Sequence, residues 1–297
     1  MPVFIGKDTR VLVQGITGRE ASKVVGEMKA YGTRVVAGVT PGKGGQEVEG
    51  VPVFDTVREA VSETKANASL VYVPPFAAKD AAIEAMASGI RFIDMVTERV
   101  PMHDTAEMLA VARETGTRIV GPTSVGVINP WDSVKLGPIG GSEPGKTFTK
   151  GPVGIVSKSG GMTNETAWLL TLNGIGQSTA MGIGGDFLMG TTFTDALEAF
   201  EKDKHTKAVV LFGELGGSYE EQAAEFVKSG GFSKPVVAFV AGKFADTLPG
   251  GVQLGHAGAI IEGSSGSPKA KIEAFRKAGV LVADIHDQIP ELLKQVL

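Results

Sequence analysis

Four histidines occur in this chain of 297 residues, and one of them is placed for chemistry. His256 stands in Gln253-Leu254-Gly255-His256-Ala257-Gly258-Ala259-Ile260-Ile261, flanked on both sides by the smallest side chains. Such neighbours leave the imidazole open to a bulky reactant. No second histidine is near in sequence and the chain has no cysteine, so a metal site is weakly supported. A nucleophilic or phosphoryl-accepting ring fits these residue types better. That ring needs a partner to fix its other nitrogen. Glu214, which ends an apolar run in Leu211-Phe212-Gly213-Glu214-Leu215-Gly216-Gly217, is the candidate. The other three, His103 beside Asp104, His205 after Asp203-Lys204 and His286 between Asp284 and Asp287, have polar surroundings and are expected on the surface.

Glycines mark the places where a phosphate could approach the backbone. Val11-Leu12-Val13-Gln14-Gly15-Ile16-Thr17-Gly18-Arg19-Glu20-Ala21 reads as a strand, a tight Gly-x-x-Gly turn and the start of a helix. Free N–H groups at that helix start suit a nucleotide-like anion. The spacing departs from G-x-G-x-x-G, and no acid ends the following strand, which runs into Val39-Thr40-Pro41. An adenine cofactor other than NAD is the better reading. Lys43, in Thr40-Pro41-Gly42-Lys43-Gly44-Gly45, could pair with a phosphate or be a solvated loop lysine. In the second half, Ser157-Lys158-Ser159-Gly160-Gly161-Met162 repeats the strand–turn–helix pattern, with Ser159 as N-cap and Gly160 and Gly161 baring amides to an anion. Gly140-Gly141-Ser142-Glu143-Pro144-Gly145-Lys146-Thr147 satisfies the Walker A spelling. It follows a poor strand and precedes Gly151-Pro152, so it lacks the context a P-loop requires.

Alternating elements must carry these loops. In the first half, apolar runs at 11–14, 34–37, 70–73, 92–96 and 118–120 read as strands, and helical spacing recurs at 20–31, 57–64, 79–88 and 105–115. Five strands with intervening helices predict a doubly wound parallel sheet over residues 1–125. The Pro- and Gly-rich stretch 126–150 reads as an interdomain crossover. A second α/β series occupies 151–297, with strands at 153–156, 180–183, 208–212, 236–240 and 280–282. Helices are expected there at 163–172, 194–200, 220–229 and 269–278.

Composition narrows the partners. Lys plus Arg number 29 and Asp plus Glu 33, for a net charge of -4, without the basic excess of a nucleic-acid binder. Glycine contributes 41 residues, roughly twice the usual ~7%. The absence of cysteine, of a signal-like N-terminus and of an apolar run of about 18 residues predicts a soluble cytoplasmic protein with no membrane contact.

Taken in order, 11–18, 38–45, Gly182-Ile183-Gly184-Gly185-Asp186, 213–217 and 255–260 resemble the α subunits of succinate–CoA ligase, over about residues 8 to 293. The resemblance implies a Rossmann-like CoA-binding domain followed by a flavodoxin-like ligase domain. It also implies a phosphorylated His256 partnered by Glu214, and CoA contacts at Thr17, Gly18, Arg19, Glu20, Lys43, Val96, Thr97 and Glu98. Tyr72 and Pro74, on a neighbouring strand end, are expected to line the same cleft. Ser159, Gly160, Gly161 and Asn164 are the expected phosphate and substrate contacts, with Asn164 standing where the family carries a tyrosine. The family further implies a small carboxylic acid substrate, and a β subunit, in an αβ or α2β2 assembly, that supplies the nucleoside triphosphate and Mg2+ site. Thr123-Ser124-Val125, Gly161-Met162-Thr163-Asn164 and Val252-Gln253 lean instead toward ATP-citrate lyase and citryl-CoA synthetase, so citrate or malate stands behind succinate. A CoA-binding sensor or scaffold and an NAD oxidoreductase are the rival classes.

Overall fold

The computed structural model describes residues 3–244, 255–259 and 266–297. Two compact units emerge, one of Phe4–Gly145 with Leu188–Gly190, the other chiefly Lys146–Phe187 and Thr191–Leu297.

The first unit contains β1 (Arg10–Gln14), α1 (Arg19–Tyr31), β2 (Arg34–Val39), β3 (Glu47–Val48), β4 (Val51–Phe54), α2 (Val57–Thr64) and β5 (Ala68–Val71). α3 (Ala78–Ala87), β6 (Phe92–Met95), α4 (Met102–Thr115) and β7 (Arg118–Val120) follow. Its strands lie in the order β3-β4-β2-β1-β5-β6-β7. All neighbours are parallel except the β3–β4 ribbon. Without β3 this is the doubly wound Rossmann order, which reverses between β1 and β5. β1 is the centre: Val11, Leu12 and Val13 are fully buried, as expected of a parallel strand covered on both faces. α1 packs through Ala21, Val24, Val25 and Met28, an i, i+3, i+4, i+7 stripe, and ends on Gly32 at φ 123°. The Thr56 hydroxyl caps α2 by accepting from the Glu59 N–H.

Two features of this unit differ from the sequence reading. A sixth parallel strand, β4, extends the sheet; it is short and carries Pro52, so it shows no strand-like run. The stretch expected to be a bare crossover holds an antiparallel hairpin of β8 (Gly126–Asn129) and β9 (Val134–Leu136) and a one-turn helix α5 (Pro144–Thr147). Thr33 ties to Lys135 through its hydroxyl in both directions, so β9 packs with the first unit. Gly137, Gly140 and Gly141, in left-handed conformations, separate β9 from α5, and α5 is a single turn rather than the helix a P-loop opens.

The second unit contains β10 (Lys150–Ser157), α6 (Gly160–Leu172), β11 (Gln177–Gly182), α7 (Phe193–Lys202), β12 (Ala208–Glu214) and α8 (Tyr219–Lys228). β13 (Val236–Ala241), α9 (Pro268–Lys277), β14 (Leu281–Val282) and α10 (Ile289–Lys294) complete it. β10 pairs with β11 and β12, β12 with β13, and β13 with β14, all parallel. In order of appearance that is 2-1-3-4-5, the flavodoxin-like order, with its switch point between β10 and β12. The capping box of Thr192 and Asp195 starts α7, whose Phe193, Ala196, Leu197 and Phe200 are buried.

Candidate active site

The expected phosphate and coenzyme contacts of the first unit gather at one edge of its sheet, beyond the C-terminal ends of β1, β2, β5 and β6. Gly15 leaves β1 at φ 81°, and a Cβ there would lie 3.1 Å from the Tyr72 backbone carbonyl. Only glycine lets the turn fit between β1 and β5. Gly18 is the N-cap of α1 and offers no side-chain cap, so the first amides of that helix remain open to a ligand. Arg19 and Glu20 are exposed in that first turn. Thr17 and Thr40 hydroxyls meet at 3.3 Å, which joins this turn to the loop carrying exposed Lys43. The Asp55 carboxylate accepts the Gly44 N–H at 2.9 Å and pins that loop. From β5 and β6 come half-buried Tyr72, exposed Pro74, half-buried Val96, buried Thr97 and exposed Glu98. The Thr97 hydroxyl donates to the Val73 carbonyl at 2.8 Å, fixing the two strand ends together.

Asp94, two residues before Val96, is wholly buried; burial pushes its pKa up to about 7, with the Ser124 hydroxyl pulling the other way. Nothing in the sequence pattern singled it out.

In the second unit the pieces converge at the β10/β12 switch point. Glu214 ends β12, and its Oε2 lies 2.7 Å from His256 Nδ1. That hydrogen bond, the nearby Glu214 charge and Asp186 raise the histidine's pKa, while burial and Lys158 oppose them. The other carboxylate oxygen, Oε1, is buried without a hydrogen-bond partner among the described residues. A Cβ on Gly185 would fall 2.3 Å from His256 Cγ, and the Gly258 N–H donates to the Gly185 carbonyl at 3.0 Å. The Gly182–Asp186 loop is therefore the seat of the histidine, a role its sequence alone did not reveal. Val252 and Gln253, and Ile260 and Ile261 beyond the ring, lie outside the described residues.

Ser159 caps α6 as expected, its hydroxyl accepting from the Met162 N–H at 3.3 Å. The amides of Gly160 and Gly161 then stand at the helix start with no intrahelical acceptor. Asn164 turns back on the same turn, its amide donating to the Gly160 carbonyl at 2.9 Å.

The remaining histidines divide. His103 is exposed, but His286 is not the surface residue its acidic neighbours suggested. Its Nε2 sits 2.9 Å from the Thr166 hydroxyl, and its ring meets Phe212 and Phe239 edge-on, with burial pushing its pKa down. His103, Asp104 and Glu107 form the one group close enough to share a metal among the described residues. Lys79 Nζ already lies 3.3 Å from Asp104 and 2.6 Å from Glu107, so the group is satisfied without one.

A Rossmann sheet with an uncapped helix start, followed by a flavodoxin-like sheet presenting a histidine–carboxylate pair, defines a two-domain CoA ligase architecture. Family models agree, with a CoA binding domain matched at residues 6–99 and a CoA-ligase domain at 156–281. Succinate–CoA ligase [ADP-forming] subunit alpha 1 of Archaeoglobus fulgidus is 49% identical over 295 residues, 99% of this chain and 98% of that one. The corresponding α subunit of Aquifex aeolicus is 48% identical, over 100% of this chain and 95% of its own length. Among solved structures, ATP citrate lyase from Methanothrix soehngenii in complex with citrate and coenzyme A superposes with a TM-score of 0.92 at 28% identity. That match covers 99% of this chain and 50% of the lyase, so the chain spans about half of the lyase's length. The chain belongs to the succinate–CoA ligase α-subunit family. No helix among the described residues is long and apolar enough to cross a membrane.

Proposed function

We propose that this chain is the α subunit of a succinate–CoA ligase, interconverting succinate, CoA and ATP with succinyl-CoA, ADP and phosphate, and that His256 carries the phosphoryl group. The observation that carries the reading is the 2.7 Å contact between His256 Nδ1 and Glu214. It holds the proton on Nδ1 and leaves the Nε2 lone pair as the nucleophile.

In the direction of ATP synthesis, a phosphate oxygen attacks the thioester carbonyl and the CoA thiolate leaves, giving succinyl phosphate. His256 Nε2 then attacks phosphorus, the P–O bond to the acyl group breaks, and succinate departs. A terminal oxygen of ADP takes the phosphoryl from the ring and regenerates neutral imidazole. Glu214 stabilises positive charge as it builds on the ring, and the Gly160 and Gly161 amides with the α6 dipole stabilise the phosphoryl oxygens. Asn164, held on that same turn, faces the acid substrate.

CoA fits the first unit because the open α1 start, Arg19 and Lys43 can take its phosphates, while Tyr72, Pro74 and Val96–Glu98 line the same strand edge. We assign the ATP and Mg2+ site to a β subunit, as the α-subunit naming of the relatives implies. We place the assembly in the cytoplasm.

The test is to incubate the chain with its β partner, labelled ATP and Mg2+. The expected result is acid-labile, base-stable phosphate on this chain, absent in His256→Asn and discharged by CoA plus succinate. Discharge only by CoA plus citrate or malate would keep the mechanism and move the substrate. Label that survives His256→Asn would overturn the assignment, and no label with CoA still bound would leave a CoA sensor.

A further inference from the structure

A second set of charges lies behind the His256–Glu214 pair, and the phosphoryl-transfer reading makes no use of it. Glu220, in the first turn of α8, is wholly buried. Its Oε1 accepts from Lys158 Nζ at 2.8 Å and from the Glu214 backbone N–H at 3.1 Å. Its Oε2 accepts from Lys271 Nζ, which also reaches Glu221 Oε2 at 3.0 Å and the Gly217 carbonyl at 2.9 Å. A Cβ on Gly213 would lie 2.7 Å from Glu220 Cγ, so this side chain packs directly against the strand end that carries Glu214. The Tyr219 ring stands 5.8 Å from Lys158 Nζ, and the Tyr219 hydroxyl donates to the Phe187 carbonyl at 3.4 Å, next to the loop that seats His256.

Two ammonium groups and two carboxylates balance. Burial by itself would push the Glu220 pKa up, but Lys158 and Lys271 outweigh it and hold the carboxyl below its ordinary range. A buried cluster of this kind contributes little net stability compared with apolar packing of the same volume. Its position asks for a role in the site. Three charged groups act on the His256 ring: Glu214 and Asp186 favour its protonated form and Lys158 opposes it.

We propose that Lys158 is a positioning residue for the phosphoryl-carrying histidine: clamped by Glu220, whose same oxygen fixes the Glu214 main chain, it sets a positive charge behind the pair that works against protonation of the ring and then offsets the negative charge of the phosphorylated ring. The last clause rests on the phosphohistidine reading; the first does not. Without Lys158, the strong Glu214 bond would hold a larger share of His256 as imidazolium, which has no lone pair to give. Glu220 is the anchor because its one oxygen serves both the Lys158 ammonium and the Glu214 amide.

The experiment follows the His256 Cε1–H signal of the full chain by NMR from pH 5 to 10, assigned by its loss in His256→Asn. Lys158→Met should move the midpoint up by about 0.5–1 unit, and Lys158→Arg should return it to the wild-type value. An unchanged midpoint in Lys158→Met, or failure of Lys158→Arg to restore it, would overturn the proposal. Should Lys158→Met fail to fold, Lys158→Gln, which keeps a hydrogen-bond donor for Glu220, takes its place, and the same upward movement is expected. In the assembled enzyme, Lys158→Met should slow phosphate labelling at pH 7 about fivefold and recover at higher pH, with the KM for CoA unchanged. A labelling defect of equal size at all pH values would instead mark a merely structural role. Wild-type enzyme that took no label at all would sink the phosphohistidine reading while leaving the titration result standing.

Discussion

At the scale of single residues, two titrations separate what the site needs from what the fold tolerates. His256 has its pKa raised, chiefly by the Glu214 hydrogen bond. The pair therefore contributes stability that is fully present below the unfolded histidine value near 6.5 and lost as pH rises through the higher folded value. Glu214→Gln should lower Tm relative to wild type at pH 6, with the gap closing by pH 9; thermal melts across that range check it. Asp94 has the opposite relation to function. Its folded pKa of about 7 lies well above the ordinary aspartate value of 3.8, so ionising it costs stability as pH rises from about 4 to 7 and the loss then levels off. The full difference amounts to about 4 kcal/mol. Asp94→Asn should leave stability nearly unchanged at pH 4 and raise it at pH 8, read by urea unfolding at both. His256 was legible in the sequence because its small neighbours are contiguous with it. Lys158, Glu220 and Lys271 were not, because their contacts join residues more than fifty positions apart and no local pattern encodes such a meeting. His286 misled for the converse reason: its acidic neighbours are local, while the Thr166, Phe212 and Phe239 that enclose it come from other elements.

At the scale of elements, parallel strands buried on both faces are uninterrupted apolar runs, which is why β1, β7, β12 and β13 could be read directly. Helix starts were harder. α4 and α6 begin three residues before the expected positions, at Met102 and Gly160, because a first turn is set by caps and orphan amides rather than by apolar spacing. The short hairpins carry too few residues to establish a period, so β3, β4, β8 and β9 were invisible. One loop carries the element-scale prediction. Gly185 has room for no side chain against His256, its Cβ position lying 2.3 Å from Cγ. Gly185→Ala should cost about 1–3 kcal/mol or displace the histidine loop. Either way phosphate incorporation should fall sharply while CoA binding, followed by calorimetry, stays at its wild-type strength.

At the scale of the whole molecule, the two units have different strand orders, and the proposed ligand sites lie where each order reverses. The first reverses between β1 and β5 and the second between β10 and β12. This division predicts two separable footprints in hydrogen exchange. CoA should protect amides around 15–20, 40–45 and 96–98, and phosphorylation those around 158–162 and 183–187. Protection of both sets by CoA alone would refute the division. The fold class was readable because both series alternate strand and helix, but strand order was not, since nothing in a run of valines says which neighbour it will choose.

The hydrogen bond at His256 Nδ1 also dictates regiochemistry. An imidazole can be modified at either nitrogen, giving two positional isomers with different antigenic shapes. With Nδ1 committed to Glu214, the proposed phosphorylation should give the τ isomer alone, and an antibody raised against the π isomer should find nothing to bind.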